Sequence, residues 1–175
     1  MIYRIFAYGS LINQASLKKT VPEARAIFPA RAHGLQRVFN LASQHRYDSD
    51  HQRPICVVNA ENAPSDSAIN GTCFEMQECS LKNLLHRESG YQFRPIEVTH
   101  YHDREQVYRA YFFQARQFQL YRYLSGSSVQ KHYLDLCLQG CAAIGADFVD
   151  DFIASTSFWN IDTAAQKRAI WRGEY

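Results

Sequence analysis

Residues 2–8, Ile-Tyr-Arg-Ile-Phe-Ala-Tyr, carry apolar side chains on both alternation phases, Ile2/Phe6/Tyr8 on one and Tyr3/Ile5/Ala7 on the other. A strand with one wet face alternates apolar with polar, whereas a strand apolar on both phases must be covered on both sides. The chain therefore has to build its fold around its first strand. Arg4 interrupts what would have to be the apolar run of a signal peptide, so the stretch reads as a first strand and no export signal is expected.

The segment Asn13 to Thr20, after Gly9-Ser10, reads as a short helix stopped by Val21-Pro22. Extended stretches follow at 24–33, 36–43, 54–60 and 67–77, separated by Gly34, a polar loop 44–53 and Pro64-Ser65-Asp66. Ser80 to Gly90 reads as a compact helix, with Ser80 as its cap and Gly90 as its end. Strands at 93–103 and 106–115 come next. A helical final third begins with Val129, Tyr133, Leu136/Cys137, Gly140/Cys141 and Ile144 at helical spacing, closed by Gly145. Asp147 to Phe152 forms a further helix, and Thr163-Ala164-Ala165-Gln166 has the form of a capping box for the last one. This order implies an α+β fold in one domain, with a single mainly antiparallel or mixed sheet curled into a barrel.

Composition narrows the function classes. A chain of 175 residues with 46% hydrophobic and 21% charged residues is a folded domain, and its 11 Tyr and 11 Phe require many buried rings. Nineteen Lys and Arg against 17 Asp and Glu lack the positive field of a dedicated nucleic-acid binder. The aromatic, arginine-bearing stretch from Tyr108 to Tyr123 reads as core packing and not as a base-stacking surface. No apolar run reaches the ~18 residues of a membrane span, so a soluble, cytoplasmic protein without membrane partner is expected. The five cysteines, Cys56, Cys73, Cys79, Cys137 and Cys141, form no CxxC pair, and Cys137 and Cys141 read as core residues. His100 and His102 alternate on one strand without an evident carboxylate partner, so no metal site is expected.

Two places can carry chemistry. In Tyr8-Gly9-Ser10-Leu11, at the exit of the buried strand, a glycine with access to positive φ and consecutive N–H groups can cradle a carboxylate, or it can be a plain turn. The second is Glu88. With Leu81, Leu84 and Leu85 it occupies positions i, i+3, i+4 and i+7, so a carboxylate shares a face with three leucines in the last helical turn. Burial and the negative helix end would both raise its pKa, as a general acid/base near neutrality requires. A structural salt bridge to Arg87, Arg94 or another cation is the other reading. The stretch His45 to Arg53, with two His and two Arg, reads first as a solvated surface loop and otherwise as a recognition loop for part of a substrate.

These pieces together resemble the γ-glutamylcyclotransferase-like superfamily, over about residues 2 to 155 and in family order. The matching segments are Phe6-Ala7-Tyr8-Gly9-Ser10-Leu11, Gly34-Leu35-Gln36-Arg37-Val38-Phe39-Asn40 and Asn70-Gly71-Thr72-Cys73-Phe74-Glu75. Leu81 to Leu85 with Arg87-Glu88-Ser89-Gly90-Tyr91 and Val98, and Tyr133-Leu134-Asp135 through Gly140 and Gly145, complete them. The resemblance implies a mixed β-barrel with surrounding helices. It implies a cyclotransferase that converts a γ-glutamyl amino acid, a γ-glutamyl amine or glutathione to 5-oxoproline and a free amine, without metal or cofactor. Tyr8, Gly9, Ser10 and Leu11 would bind the γ-glutamyl group, Glu88 would be the acid/base, and Tyr91 and Tyr133 would line the pocket. Asn13 after Ile12, and Ala42-Ser43-Gln44-His45-Arg46-Tyr47, depart from the glutathione-degrading branch. A small-molecule binding protein that keeps this fold and pocket without turnover is the alternative reading.

Overall fold

The computed structural model describes residues 1–88, 90–115 and 119–174. Ser89 of the glutamate segment and Arg116 lie outside the described residues, as does the side chain of Arg87. Strands β1 (Ile2–Ala7), β2 (Arg25–His33), β5 (Ala68–Gln77), β6 (Tyr91–His100) and β7 (Val107–Ala115) form a closed barrel in the order β1-β5-β2-β6-β7. All pairings are antiparallel except the seam, where β1 meets β7 in parallel at Ile5 and Tyr111. Strands β3 (Leu35–Asp48), β4 (Arg53–Asn62) and β8 (Thr156–Phe158) form a separate sheet in the order β4-β3-β8. The expectation of a single sheet is thus corrected: the mixed barrel is present, with a second three-stranded sheet beside it. The helices are α1 (Gln14–Thr20), α2 (Glu78–Arg87), α3 (Ser128–Ala142), α4 (Ala146–Ala154) and α5 (Ala164–Arg172). Among the described residues no helix is long and apolar enough to cross a membrane.

The two apolar phases of β1 go to two different cores. Ile5 and Ala7 pack with Leu17 of α1, Phe74 and Met76 of β5, and Leu81 and Leu84 of α2. Phe6 and Tyr8 pack in the larger cluster with Phe39, Val58, Tyr133 and Phe152. Each fully buried side chain of this size contributes roughly 1.5–3 kcal/mol, so neither face of β1 can be wet. Cys137 and Cys141 are buried free thiols in the larger core, and burial pushes both up to about 12.

Several boundaries differ from the expected ones. β3 continues through the expected loop to Asp48, because the hairpin ladder resumes at Tyr47↔Pro54 and Asp48↔Arg53 beyond an irregularity. α2 starts at Glu78 with Gln77 as its cap residue, so Ser80 lies inside the helix and caps nothing. Gly145 follows the end of α3, its N–H bonding the Cys141 carbonyl at 3.1 Å, and also stands as the N-cap residue of α4. Thr163 does cap α5, accepting from the Gln166 N–H at 3.2 Å.

Arg37 of β3 is fully buried. Its Nε donates to the Tyr8 carbonyl at 2.8 Å, and one terminal nitrogen donates to the Phe152 carbonyl, Ser155 Oγ and Thr156 Oγ1 at 3.2, 3.0 and 3.2 Å. The other donates to the carbonyl and side-chain oxygen of Asn70, and the guanidinium lies 3.9 Å from the Phe152 ring centroid. Desolvation lowers its pKa to about 10, which leaves it protonated at neutral pH. One side chain thereby ties the exit of β1 to β5, the end of α4 and the start of β8.

A second tie sets α3. Asp48, at the end of β3, accepts from Ser127 Oγ and from the N–H groups of Asp50 and His51 at 2.9 and 3.0 Å. Ser127 is also the N-cap of α3, and buried Gln130 one turn on pairs its amide with both backbone groups of Cys56 in β4, at 2.7 and 2.8 Å. Gly140 lets the far end of α3 lie against the turn before α1, since a Cβ there would sit 2.5 Å from the Asn13 nitrogen.

Two stability outcomes follow. Arg37→Met should lower unfolding free energy by about 3–5 kcal/mol in urea titrations, because several buried acceptors lose their donor at ~1–3 kcal/mol each. A loss under ~1 kcal/mol would mean those carbonyls find other partners. The Ser127 hydroxyl and then the His51 N–H hold the Asp48 carboxyl down at about 2. An acid whose folded pKa lies below its unfolded value of ~3.9 adds stability that is complete above about pH 4 and fades as pH falls through about 2. The stability curves of the native protein and Asp48→Asn should converge across that window; parallel curves would contradict this role.

Candidate active site

Strand β1 delivers Tyr8 to the end of the barrel, where Ser10–Ile12 form one 3₁₀ turn before α1. The Ile12 N–H bonds the Gly9 carbonyl at 3.0 Å and the Asn13 N–H bonds the Ser10 carbonyl at 3.3 Å. The N–H groups that open such a turn have no acceptor within it. Gly9 has φ −132°, so the expected positive φ is not used. What demands glycine is space: a Cβ would lie 2.7 Å from Val58 Cγ2 and 3.3 Å from the Tyr133 hydroxyl.

Glu88 is the residue on which α2 ends, with φ −98° and ψ 34°; its N–H bonds the Leu84 carbonyl, and its carbonyl accepts from Tyr91, both at 2.9 Å. Leu81 and Leu84 are buried, but Leu85 is 38% exposed, so the apolar stripe leading to Glu88 is narrower than expected. The side chain turns toward a cavity and not into the leucine core. Two connected spaces meet there. An inner cavity of about 100 Å³ is lined by Tyr8, Gly9, Ser10, Leu11, Glu88, Tyr91 and Tyr133, which are the seven residues singled out from the sequence, together with Val58 and Phe113. An outer cleft of about 460 Å³ shares Ser10, Val58, Glu88, Tyr91 and Tyr133 with it, a size in the range of small-molecule sites.

The tyrosines differ in their surroundings. The Tyr8 hydroxyl donates to the Phe113 carbonyl at 2.5 Å and so anchors the exit of β1 to β7. Burial, then Tyr91 and Glu88, push its pKa well above the ordinary value. Tyr133, held by α3, accepts from the Val58 N–H at 3.5 Å and packs edge-on against Phe39. Burial raises its pKa too, so both phenols are neutral at physiological pH. Tyr91, at the start of β6, is partly exposed and sits edge-on to Phe113.

Sequence reasoning reached the outer wall only through its second reading of His45 to Arg53. Leu41 to Arg46 line the cleft, joined by Gln119 and Tyr121. The stretch read first as a solvated loop is thus partly a wall of the site: His45 and Arg46 line the cleft, whereas His51 pairs with Asp48 and Arg53 donates to the Tyr121 hydroxyl at 2.7 Å. The other omission is Arg37. It shares a strand phase with Leu35 and Phe39, both buried, and a charge on a core-facing phase was the available signal. His100 stacks on Phe28 at 5.7 Å and lies away from this cavity.

No family model matches the sequence, and no curated protein matches it significantly. Solved structures do match. A γ-glutamyl cyclotransferase superposes with a TM-score of 0.71 at 14% identity, over 98% of this chain and 99% of that one. An uncharacterized protein from Homo sapiens gives 0.71 at 15% identity over 98% of each chain. A γ-glutamyl cyclotransferase specific to glutathione, from yeast, gives 0.66 at 15% identity over 99% of this chain and 95% of that one. The chain, with its barrel closed in this order, therefore has the γ-glutamylcyclotransferase-like fold.

Proposed function

We propose that the protein cyclises a γ-glutamyl compound to 5-oxoproline and releases the amine bound to its γ-carbonyl. The observation that carries this reading is the convergence of Glu88, the Gly9–Leu11 turn, Tyr91 and Tyr133 on one cavity in a fold shared with γ-glutamyl cyclotransferases. The substrate holds its own nucleophile, the α-amine, three carbons from the γ-carbonyl, so closure gives a five-membered lactam. A site that holds the chain bent supplies proximity, worth up to ~7–11 kcal/mol of the barrier in favourable intramolecular reactions.

The proton inventory calls for one carboxylate. Glu88 takes a proton from the α-ammonium, and the freed nitrogen attacks the γ-carbonyl carbon. N–H groups of the Gly9–Leu11 turn stabilise the oxyanion that forms. As the bond to the leaving nitrogen breaks, Glu88 returns its proton there, then takes the second proton left on the new lactam nitrogen and passes it to the released amine, which departs as an ammonium. No water is consumed and no redox change occurs, so the reaction balances without a cofactor. Tyr91 and Tyr133, neutral at working pH in the case of Tyr133, orient the bent chain by packing and hydroxyl contact.

The test is a panel of γ-glutamyl amino acids, γ-glutamyl amines and glutathione assayed for 5-oxoproline. Product from at least one is expected, and none from any member would refute the reading. Glu88→Gln should lower kcat by about 10²- to 10⁴-fold, the usual worth of general acid–base catalysis, while calorimetry still detects substrate binding. Undiminished turnover in that variant would remove Glu88 from its role.

A further inference from the structure

We infer that Arg46 binds a free carboxylate on the leaving half of the substrate, so that the protein takes γ-glutamyl amino acids or peptides in preference to γ-glutamyl amines; this rests on the cyclotransferase reading above. The geometry begins in the β3–β4 hairpin. The ladder pairs Ala42 with Cys56 and next pairs Tyr47 with Pro54, so four residues, Ser43 to Arg46, face Ile55 alone. The extra length forms a bulge, and the Ser43 hydroxyl fixes its shape by accepting from the N–H groups of His45 and Arg46 at 3.3 and 3.0 Å. Bulges re-aim side chains that a regular strand would hold along the sheet.

This bulge is aimed at the cleft. Its four residues line the outer space, and Gln44 reaches the segment after Glu88 so closely that a Cβ on Gly90 would lie 2.5 Å from Gln44 Nε2. Arg46 lies with its guanidinium carbon 5.3 Å from the centroid of the Tyr133 ring. Its guanidinium makes no hydrogen bond or ion pair among the described residues, unlike Arg53 on Tyr121 and Arg37 in the core. Stacking on a ring face leaves the N–H edge of a guanidinium open, and that edge matches a carboxylate in bidentate fashion.

Substrate direction follows from the two spaces. The inner cavity, with the Gly9–Leu11 turn, takes the γ-glutamyl half, and Glu88 must reach the scissile nitrogen. The leaving half then extends into the outer cleft, where, among the described residues, Arg46 is the arginine on the wall. An amino-acid leaving group carries its carboxylate on the carbon next to the scissile nitrogen; an amine carries none.

The test compares kcat/KM for γ-glutamyl-alanine with that for its uncharged carboxamide, γ-glutamyl-alaninamide, which differs in charge but hardly in size. The native protein should favour the acid by about 10- to 100-fold, the range of a charge-assisted bidentate pair. Arg46→Gln should erase that preference through KM for the acid, leave the carboxamide within about threefold as an internal control on folding, and Arg46→Lys should restore part of it. Equal use of both substrates by the native protein overturns the inference. So does an Arg46→Gln variant that loses both equally, which would place the contact on the glutamyl half or make it structural. Either result leaves the cyclotransferase reading standing, whereas no 5-oxoproline from any γ-glutamyl compound removes both.

Discussion

The buried guanidinium of Arg37 is the interaction on which the site depends. Taking an arginine fully out of water is costly, and here the return comes from backbone carbonyls and hydroxyls, with no carboxylate in reach among the described residues. Its position explains why that cost is tolerated. The Tyr8 carbonyl it holds belongs to the residue before Gly9, so the turn that faces the cavity is fixed from behind. The Asn70 it also holds sends its own amide to the Phe148 carbonyl at 2.7 Å, which clamps α4 against the barrel. Under the proposed mechanism the turn receives charge and must not relax when it arrives, and a satisfied donor behind it meets that need.

From this anchor the rest of the site is assembled by close approaches. Gly9 lets the turn pass against Val58 and Tyr133, and Gly140 lets α3 pass against the start of α1. The barrel supplies the Tyr8 turn, Glu88 and Tyr91, whereas the separate sheet and α3 supply Val58, Tyr133 and the outer wall. Neither layer contains a site alone. On the proposed reading the inner cavity, lined by Glu88, Tyr91 and Tyr133, would take the γ-glutamyl half, and the outer cleft would distinguish one leaving group from another.

Much of this was legible in the sequence because it rests on local rules. The double-phase apolar pattern of residues 2–8 required a strand covered on both faces, and Ile5/Ala7 and Phe6/Tyr8 do enter two cores. The order of β1 to β7 and of the five helices could be read from spacing, as could a carboxylate at the end of α2, although Glu88 turns to the cavity and not into the leucine core. What could not be read depends on long-range pairing. A polar run such as Ser43 to Asp50 has the composition of a loop; only the ladder with Arg53 and Pro54 shows that it is strand with a bulge. Likewise Gln130 reads as a solvated helix residue until β4 is placed beside it, where its amide completes the backbone bonds of Cys56. The short strand β8 forms because the Arg37–Phe39 edge is open to it, which no property of Thr156–Phe158 announces.

The central claim is that the substrate's own amine is the nucleophile and water takes no part. Turnover of a γ-glutamyl amino acid in ¹⁸O-labelled water, followed by mass spectrometry, tests this directly. The account expects unlabelled 5-oxoproline in amounts equal to the amino acid released. Free glutamate carrying ¹⁸O in its γ-carboxylate, or no release of the amino acid at all, would contradict it.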